Sequence, residues 1–165
     1  MSKLTNRIAV MAALAFAGTL MAGPVWAQDA RSAAATYRDI EQTLGMVPGF
    51  FKQFPEVGVA GAWAEFKTVQ LNPNTRLSGK TKELIGLAVA AQIPCQYCVY
   101  FHTAAAKANG ATEEEIREAV AMAAIVRHWS AVLNGMQVDI TTFSRETDTV
   151  LRLAAEKAKA GGHSR

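Results

Sequence analysis

The sequence predicts an all-α protein of about six helices. No stretch of the 165 residues keeps the strict two-residue alternation of a half-buried strand over a useful length, whereas several stretches keep the helical period. Serine, threonine and glycine also stand where helices commonly begin and end. There is no internal repeat and no low-complexity linker. We therefore expect a helical bundle.

The first 27 residues have the pattern of a secretory signal peptide. Lys3 and Arg7 give a positive start, and residues 8–21 are apolar or small without a charge. Small residues before the expected cut suit cleavage after Ala27. An uncleaved anchor is the alternative, but the apolar run is shorter than the roughly 18 residues that span a bilayer. We expect a periplasmic or secreted protein.

The remaining segment, 28–165, is expected to form a single domain that buries about two-thirds of its unfolded surface. Removal of Lys3 and Arg7 lowers the formal charge from +3 to +1, and the other basic residues are scattered among acidic ones. This balance predicts no nucleic acid partner and no anionic membrane partner after cleavage. Apolar faces on nearly every predicted helix favour a homo-oligomer.

The first predicted helix has a signal at each end. Ser32 caps it, it runs to about Leu44, and Gly45 stops it. The segment that follows, GMVPGFFKQFP, is expected to be an irregular connection. Its three phenylalanines are expected to fill the core: Phe50, Phe51 and Phe54.

The next two predicted helices precede the only two cysteines of the chain. The second helix is expected from about Pro55 to Val69, where the turn sequence NPNT ends it. Ser78 caps the third, which is apolar nearly all round and therefore belongs in the middle of a bundle. Pro94 ends the third helix, and a fourth begins at or beside Cys95.

The C-terminal part contains predicted boundaries of three helices. The fourth helix runs to Asn109, before the stop at Gly110. Thr112 and Glu115 form a capping box for the fifth helix. A last helix is expected from about Thr147 to Ala160. An apolar stripe is expected to continue from the fifth helix through Trp129, Val132, Leu133, Met136, Ile140 and Phe143.

The stretch IPCQYCVYFH holds the chemistry-bearing residues. On a helix, Cys95, Cys98 and His102 fall at i, i+3 and i+7, within an arc of about 60°. The three side chains therefore share one face. Cys95 lies in the first turn, where unpaired backbone N–H groups and the helix dipole favour a thiolate.

The preceding helix offers a carboxylate partner. The break at residues 92–94 is tight, so the two helices are expected to fold back antiparallel, which sets Glu83 opposite His102 rather than Cys95. This predicts an order from Glu83 to His102 to Cys98, in which the carboxylate orients the imidazole and the imidazole takes the thiol proton. The alternative is that Glu83 is a solvated first-turn residue that complements its helix dipole.

The cysteine pair has other interpretations. A structural disulfide is usual in an exported protein, although so short a loop stabilises little. Zinc bound by the pair with His102 and Glu83 is a second alternative. A haem attachment site needs a histidine directly after the second cysteine, but Val99 stands there, so this interpretation fails. A thioredoxin-like fold needs a strand before the pair, whereas residues 84–92 are alanine-rich and helical.

Residues Lys82 to Ala124 resemble the AhpD-like alkylhydroperoxidases of the carboxymuconolactone decarboxylase superfamily. The shared pattern is a glutamate, eleven residues, C-x-x-C-x-x-x-H, a small-residue helix, a Gly-Ala/Leu-Thr turn and an acidic helix start. It covers 43 residues here, and the flanks agree only in being helical.

This resemblance implies an all-helical AhpD-like subunit that assembles as a homo-oligomer, often a trimer or larger, without a cofactor. It implies that Cys98 attacks a hydroperoxide, that Cys95 resolves the sulfenic acid, and that Glu83 and His102 form the proton relay. We therefore expect an exported, thiol-dependent peroxide reductase. The decarboxylase activity that names the superfamily does not depend on this cysteine pair.

Two features depart from the family pattern. Tyr97 stands where members with peroxidase chemistry often have a second histidine, and a phenol is a poor base at neutral pH. The family's reductant is a lipoyl-bearing cytoplasmic protein, so an exported enzyme needs another thiol or dithiol donor. The alternative functions are an exported protein thiol-disulfide oxidoreductase and a non-enzymatic helical oligomer with a structural disulfide or zinc site.

Overall fold

The structure is a computed structural model that describes residues 32–161. These residues form six α-helices, one short 3₁₀-helix and one π-helical segment, and no strand occurs among them. The prediction of an all-α fold with about six helices is confirmed. None of the helices in this range has both the length and the apolar character needed to cross a bilayer. The expected signal peptide, residues 1–27, lies outside the described range.

The helices follow one another with short connections. The α-helices are α1 Ala33–Leu44, α2 Glu56–Glu65, α3 Gly79–Gln92, α4 Gln96–Ala108, α5 Glu113–Gly135 and α6 Ile140–Gly161. The 3₁₀-helix Gly49–Gln53 precedes α2, and the π-helical segment Phe66–Gln70 follows it. The chain forms two compact units, with the boundary between Ala64 and Glu65. The single domain expected over 28–165 stays a prediction.

The first unit begins with the helix that the sequence predicts. The hydroxyl of Ser32 accepts a hydrogen bond from the backbone N–H of Ala35 (3.2 Å), and Gly45 ends α1 with a φ of 82°. Glycine adopts this left-handed conformation without a steric cost. The indole N–H of Trp63 donates to Asp39 (2.6 Å) and ties α2 to α1. The unit's apolar core lies beside this contact.

Only one of the three phenylalanines expected in the core is buried. Phe51 is buried with its ring edge against Trp63, and the ring centroids lie 5.5 Å apart. Phe50 is 59% exposed and Phe54 is 48% exposed, so the expectation is wrong for these two. Successive side chains of a 3₁₀-helix point about 120° apart, so Phe50 cannot take the same direction as Phe51. Phe54 instead lies against Gly58, where an added Cβ would meet its ring at 2.7 Å.

The second unit is organised around α3, which packs against both α4 and α5. The hydroxyl of Ser78 accepts from the backbone N–H of Thr81 (3.1 Å), as predicted for its cap. Thr112 and Glu115 form the predicted capping box of α5. The buried apolar side chains of this unit come from all three helices: Leu87, Ala90, Ala106, Ile116 and Ala123.

The boundary between the last two helices differs from the prediction. The apolar stripe was expected to continue through Phe143, but residues 136–139 form a turn in which Gln137 has a φ of 53°. The carboxylate of Asp139 accepts from the backbone N–H of Thr142 (2.8 Å) and caps α6. The predicted start of this helix near Thr147 is therefore wrong, because the Asp139 cap begins it earlier.

Candidate active site

The two cysteines lie at the beginning of α4. Cys95 is the N-cap residue, and its sulfur accepts a hydrogen bond from the backbone N–H of Cys98 (3.2 Å). This contact satisfies one of the N–H groups that a helix start leaves without a partner. The two residues are joined by a disulfide across a Cα–Cα distance of 5.3 Å, and both are half-buried. The structure thus shows the oxidised form of the pair.

Glu83 on α3 and His102 on α4 are in direct contact. A carboxylate oxygen of Glu83, Oε2, lies 2.7 Å from Nδ1 of His102. Glu83 is only 4% exposed, so the alternative of a solvated first-turn residue is wrong. The packing of α4 on α3 covers this turn, and a carboxylate buried there needs polar partners. The structure therefore brings Glu83 and His102 together, while their chemical roles stay predictions.

The contact fixes the arrangement of the imidazole. An ionised carboxylate only accepts hydrogen bonds, so Nδ1 of His102 carries the hydrogen and donates it to Glu83. In the neutral ring, Nε2 then keeps a lone pair and can take a proton. His102 lies one helical turn after Cys98, a spacing that sets Cβ atoms about 5–6 Å apart on the same face. The imidazole and Cys98 are therefore neighbours on one face of α4.

Gln70 is a partner of Glu83 that the sequence analysis missed. Its side-chain amide donates to Oε1 (3.2 Å) and to Oε2 (3.3 Å) of Glu83. Gln70 ends the π-helical segment, where the N–H of Leu71 bonds to the carbonyl of Phe66 in an i+5 pattern (3.1 Å). Periodicity places a helix over this stretch but does not reveal the wider turn that aims Gln70 at α3.

Gly86 is a second residue that the sequence analysis missed. A Cβ at Gly86 would lie 2.5 Å from Nδ1 and 2.8 Å from Nε2 of His102, closer than side-chain carbons approach. The imidazole ring therefore lies directly against the α3 backbone, one turn after Glu83. The signal in the sequence is an isolated glycine inside an otherwise alanine-rich and leucine-rich helix, which often marks a close approach.

Several aromatic side chains lie on α4 near the imidazole and the cysteines. Phe101 meets the His102 ring edge-on, with centroids 5.3 Å apart, and lies 6.1 Å from the ring of Phe66. Tyr97 and Tyr100 are 79% and 80% exposed. Tyr97 stands at the position where members of the family that the sequence resembles often have a second histidine, and its ring is exposed to solvent.

Hydrogen bonds between α5 and the end of α3 hold the corner that precedes the disulfide. Arg127 on α5 donates from Nε to the side-chain oxygen of Gln92 and from Nη2 to its backbone carbonyl, both at 2.7 Å. The amide of Gln92 donates in turn to the carbonyl of Ala123. The N–H of Cys95 bonds to the carbonyl of Ala90 (3.1 Å). These contacts fix the end of α3 and thereby the start of α4.

The zinc alternative requires three or four ligands that converge on one point. Among residues 32–161, no group of three or more histidine, cysteine, aspartate or glutamate side chains has a geometry that could hold a metal ion. With Cys95 and Cys98 in a disulfide, their sulfurs are bonded to each other. In this oxidised form the pair therefore offers no thiolate ligand to zinc.

Comparisons with known proteins give three matches. The sequence profile of the Carboxymuconolactone decarboxylase family matches residues 58–139. "Uncharacterized protein 4 in cox locus" from Paracoccus denitrificans is 42% identical over 55 residues, which are 33% of this chain and 50% of that protein. The chain thus spans half the length of this curated relative.

The third match is to a solved structure. The crystal structure of the alkylhydroperoxidase AhpD core from Rhodospirillum rubrum aligns with a TM-score of 0.58 and 29% sequence identity. The alignment covers 66% of this chain and 82% of that chain. The predicted AhpD-like helical fold is confirmed.

Proposed function

We propose that this chain, which belongs to the carboxymuconolactone decarboxylase family, is a thiol-dependent peroxide reductase of the AhpD-like kind. The observation that carries the proposal is the 2.7 Å contact between the buried Glu83 and the half-buried His102, on two packed helices and one turn from Cys98. A histidine oriented by a carboxylate beside a cysteine is the arrangement that activates a thiol.

The first step consumes the peroxide. In the reduced protein, Nε2 of His102 takes the proton of the Cys98 thiol, and Glu83 stabilises the imidazolium that forms. The thiolate sulfur attacks one peroxide oxygen, the O–O bond breaks, and the leaving alkoxide receives the proton from His102. The sulfur is oxidised to a sulfenic acid while the hydroperoxide is reduced to an alcohol.

The second step closes the disulfide. The sulfur of Cys95 attacks the sulfenic sulfur of Cys98, the S–OH bond breaks, and hydroxide leaves with the Cys95 proton as water. Return to the dithiol requires two electrons and two protons from an external thiol or dithiol donor. Cys98 is assigned the attack because it lies one turn from His102, whereas Cys95 lies two turns away.

Assembly and location are part of the proposal. Exposed apolar residues, among them Ile85, Val89, Ile125 and Trp129, support a homo-oligomer, a trimer or larger, since patches of this kind mark protein interfaces. The pattern of residues 1–27 supports export to the periplasm or the exterior. A disulfide persists in such oxidising compartments.

A second candidate function is thiol-disulfide exchange with other proteins. Tyr97 and Tyr100 stand close to Cys98 in the sequence and are exposed, and aromatic side chains are enriched at protein interfaces. In that case the thiolate of a substrate protein, rather than a peroxide, reacts with the Cys95–Cys98 pair.

One experiment separates these functions. The reduced protein is mixed with a hydroperoxide and dithiothreitol, and peroxide loss is followed for the wild type, Cys98→Ser and Cys95→Ser. We expect Cys98→Ser to abolish turnover and Cys95→Ser to consume about one equivalent and stop at the sulfenic acid. Unchanged peroxide loss in Cys98→Ser would rule out the proposal. Reduction of a protein disulfide without peroxide turnover favours the second candidate.

A further inference from the structure

We infer that Gln70 is a positioning residue for the Glu83–His102 pair, an inference that rests on the proposed function. The amide nitrogen of Gln70 lies 3.2 Å from one carboxylate oxygen of Glu83 and 3.3 Å from the other. A donor group shared between both oxygens, together with the His102 contact, restricts the rotation of the carboxylate. Gln70 thereby directs Oε2 of Glu83 to the Nδ1–H of His102.

The neutral charge of Gln70 matters for this role. The carboxylate of Glu83 is almost fully buried, and a buried charge needs hydrogen-bond donors. A lysine or arginine would form an ion pair with Glu83 and reduce its attraction for the protonated ring of His102. An amide supplies the hydrogen bond without a competing charge, so the negative charge remains available to the imidazolium.

The segment that carries Gln70 is held by the residue next to Glu83. The ammonium of Lys82 donates to the backbone carbonyls of Val69 (2.7 Å), Asn72 (2.8 Å) and Gln70 (3.4 Å). Carbonyls at a helix end have no partner within the helix, so Lys82 caps this segment. Lys82 and Glu83 stand on the same turn of α3, and together they fix the backbone and the side chain of Gln70.

The pH response of this cluster depends on the charged groups around it. Among residues 32–161, His102 contacts the Glu83 carboxylate. Lys82 stands next to Glu83 with its ammonium on backbone carbonyls, and Lys67 is the charged residue of the π-helical segment. Several other charged residues of α3, α4 and α5 contact partners outside this cluster: Lys80 with Glu115, Lys107 with Glu113, Arg117 with Glu114, and Arg127 with Gln92. Glu118 and His128 on α5 are exposed.

The first measurement is the rate at which hydrogen peroxide oxidises the reduced full chain across a pH series. Gln70→Leu removes the donor, and we expect a rate about tenfold lower throughout, the usual effect of losing a hydrogen bond to a charged group. Gln70→Glu has nearly the same shape but sets a second carboxylate against Glu83. Its rate relative to the wild type should recover as the pH falls, because the introduced carboxyl then binds a proton and donates it.

The second measurement is the tautomer of His102 by nitrogen NMR, which needs no peroxide turnover. We expect the Nδ1–H tautomer in the wild type and a larger Nε2–H fraction in Gln70→Leu. Gln53→Glu, the same charge change at an exposed glutamine of the 3₁₀-helix, should leave the rate and the tautomer unchanged.

The outcomes separate the inference from the proposed function. Wild-type pH profiles and tautomers in both Gln70 variants would overturn the inference, even if the wild type reduces peroxide. If the wild type does not reduce peroxide, the proposed function fails and the tautomer alone decides the inference. If Gln70→Leu does not fold, Gln70→Glu carries the test, because its pH-dependent recovery is not expected from a merely structural role.

Discussion

The Oε2 atom of Glu83 lies 2.7 Å from Nδ1 of His102, across the interface between α3 and α4. The two residues are 19 positions apart in the chain, and the corner between the helices brings them together. Both side chains stand on helices rather than loops, and groups on packed elements are held more precisely. Cys98, the proposed peroxide-reactive cysteine, is on the same helix as the imidazole, so a change at Glu83 should affect Cys98 through His102.

Substitution of Glu83 by glutamine should slow the reaction of Cys98 with peroxide. The introduced amide oxygen can still accept from Nδ1 of His102, but it carries no charge to stabilise the imidazolium. We expect a rate lower by about 10-fold to 100-fold, the range for a hydrogen bond to a charged group. The measurement is stopped-flow oxidation of the reduced protein.

The matched control for this prediction is Glu118→Gln. Glu118 is exposed on α5, so its loss tests a general effect of removing one carboxylate. We expect this variant to react at the wild-type rate. Equal rates in the two variants would show that Glu83 does not act on Cys98 through His102.

Gly86→Ala should impair the site more than the fold. The added methyl group would lie 2.5 Å from Nδ1 of His102, so the ring must leave its place against α3. We therefore expect slower peroxide reduction and a larger Nε2–H fraction of His102, while the far-ultraviolet circular dichroism spectrum stays helical.

Gly61→Ala provides the comparison. Gly61 lies inside α2, and an added Cβ there meets nothing within 4 Å. Alanine in a helix interior is more favourable than glycine by about 0.5–1 kcal/mol, so the melting temperature should rise. Activity should not change. A Gly86→Ala variant with wild-type activity would contradict the close approach of His102.

Local signals predicted most of the fold. The caps at Ser32, Ser78 and Thr112 and the stop at Gly45 lie where the sequence places them, because capping depends on residues three or four positions away. The break at Asp139 was missed because an apolar stripe can continue across a turn. The burial of Phe51 alone depends on a 3₁₀ geometry that periodicity does not specify.

For the candidate site, the sequence predicted the grouping of four residues but not the contacts of Gln70 and Gly86. A shared helix face groups Cys95, Cys98 and His102, and the tight corner predicts that Glu83 faces His102. The contact of Gln70 with Glu83 depends on a π-helical turn, which has no periodic signal in the sequence. Gly86 matters because the His102 ring, from another helix, lies against it. A single glycine in the sequence marks such a close approach but does not say which residue makes it.

Lys82→Met should loosen the segment that carries Gln70. The substitution keeps the length of the side chain but removes the ammonium that donates to the carbonyls of Val69 and Asn72. We expect faster amide hydrogen exchange at residues 66–72 and, through Gln70, slower peroxide reduction. Lys157→Met, at an exposed position of α6, is the control. Unchanged exchange in Lys82→Met would show that the cap does not hold this segment.

Acid should weaken the contact between α3 and the start of α5. The hydrogen bond from Lys80 (2.7 Å), and then the backbone N–H of Thr112, lower the pKa of Glu115 below its usual value. A carboxyl with a lowered folded-state pKa stabilises the fold above its unfolded pKa of about 4.3, and this contribution is lost as the pH falls through the folded value.

Melting temperatures measured from neutral to acidic pH test this prediction. Glu115→Gln should lower the melting temperature at neutral pH and flatten its decline in acid, because the substituted side chain has no proton to gain. High salt should reduce the difference between the wild type and the variant at neutral pH, since the pair is partly exposed to solvent and therefore partly screened. An equally steep acid decline in both proteins would show that Glu115 does not link its protonation to the stability of this helix start.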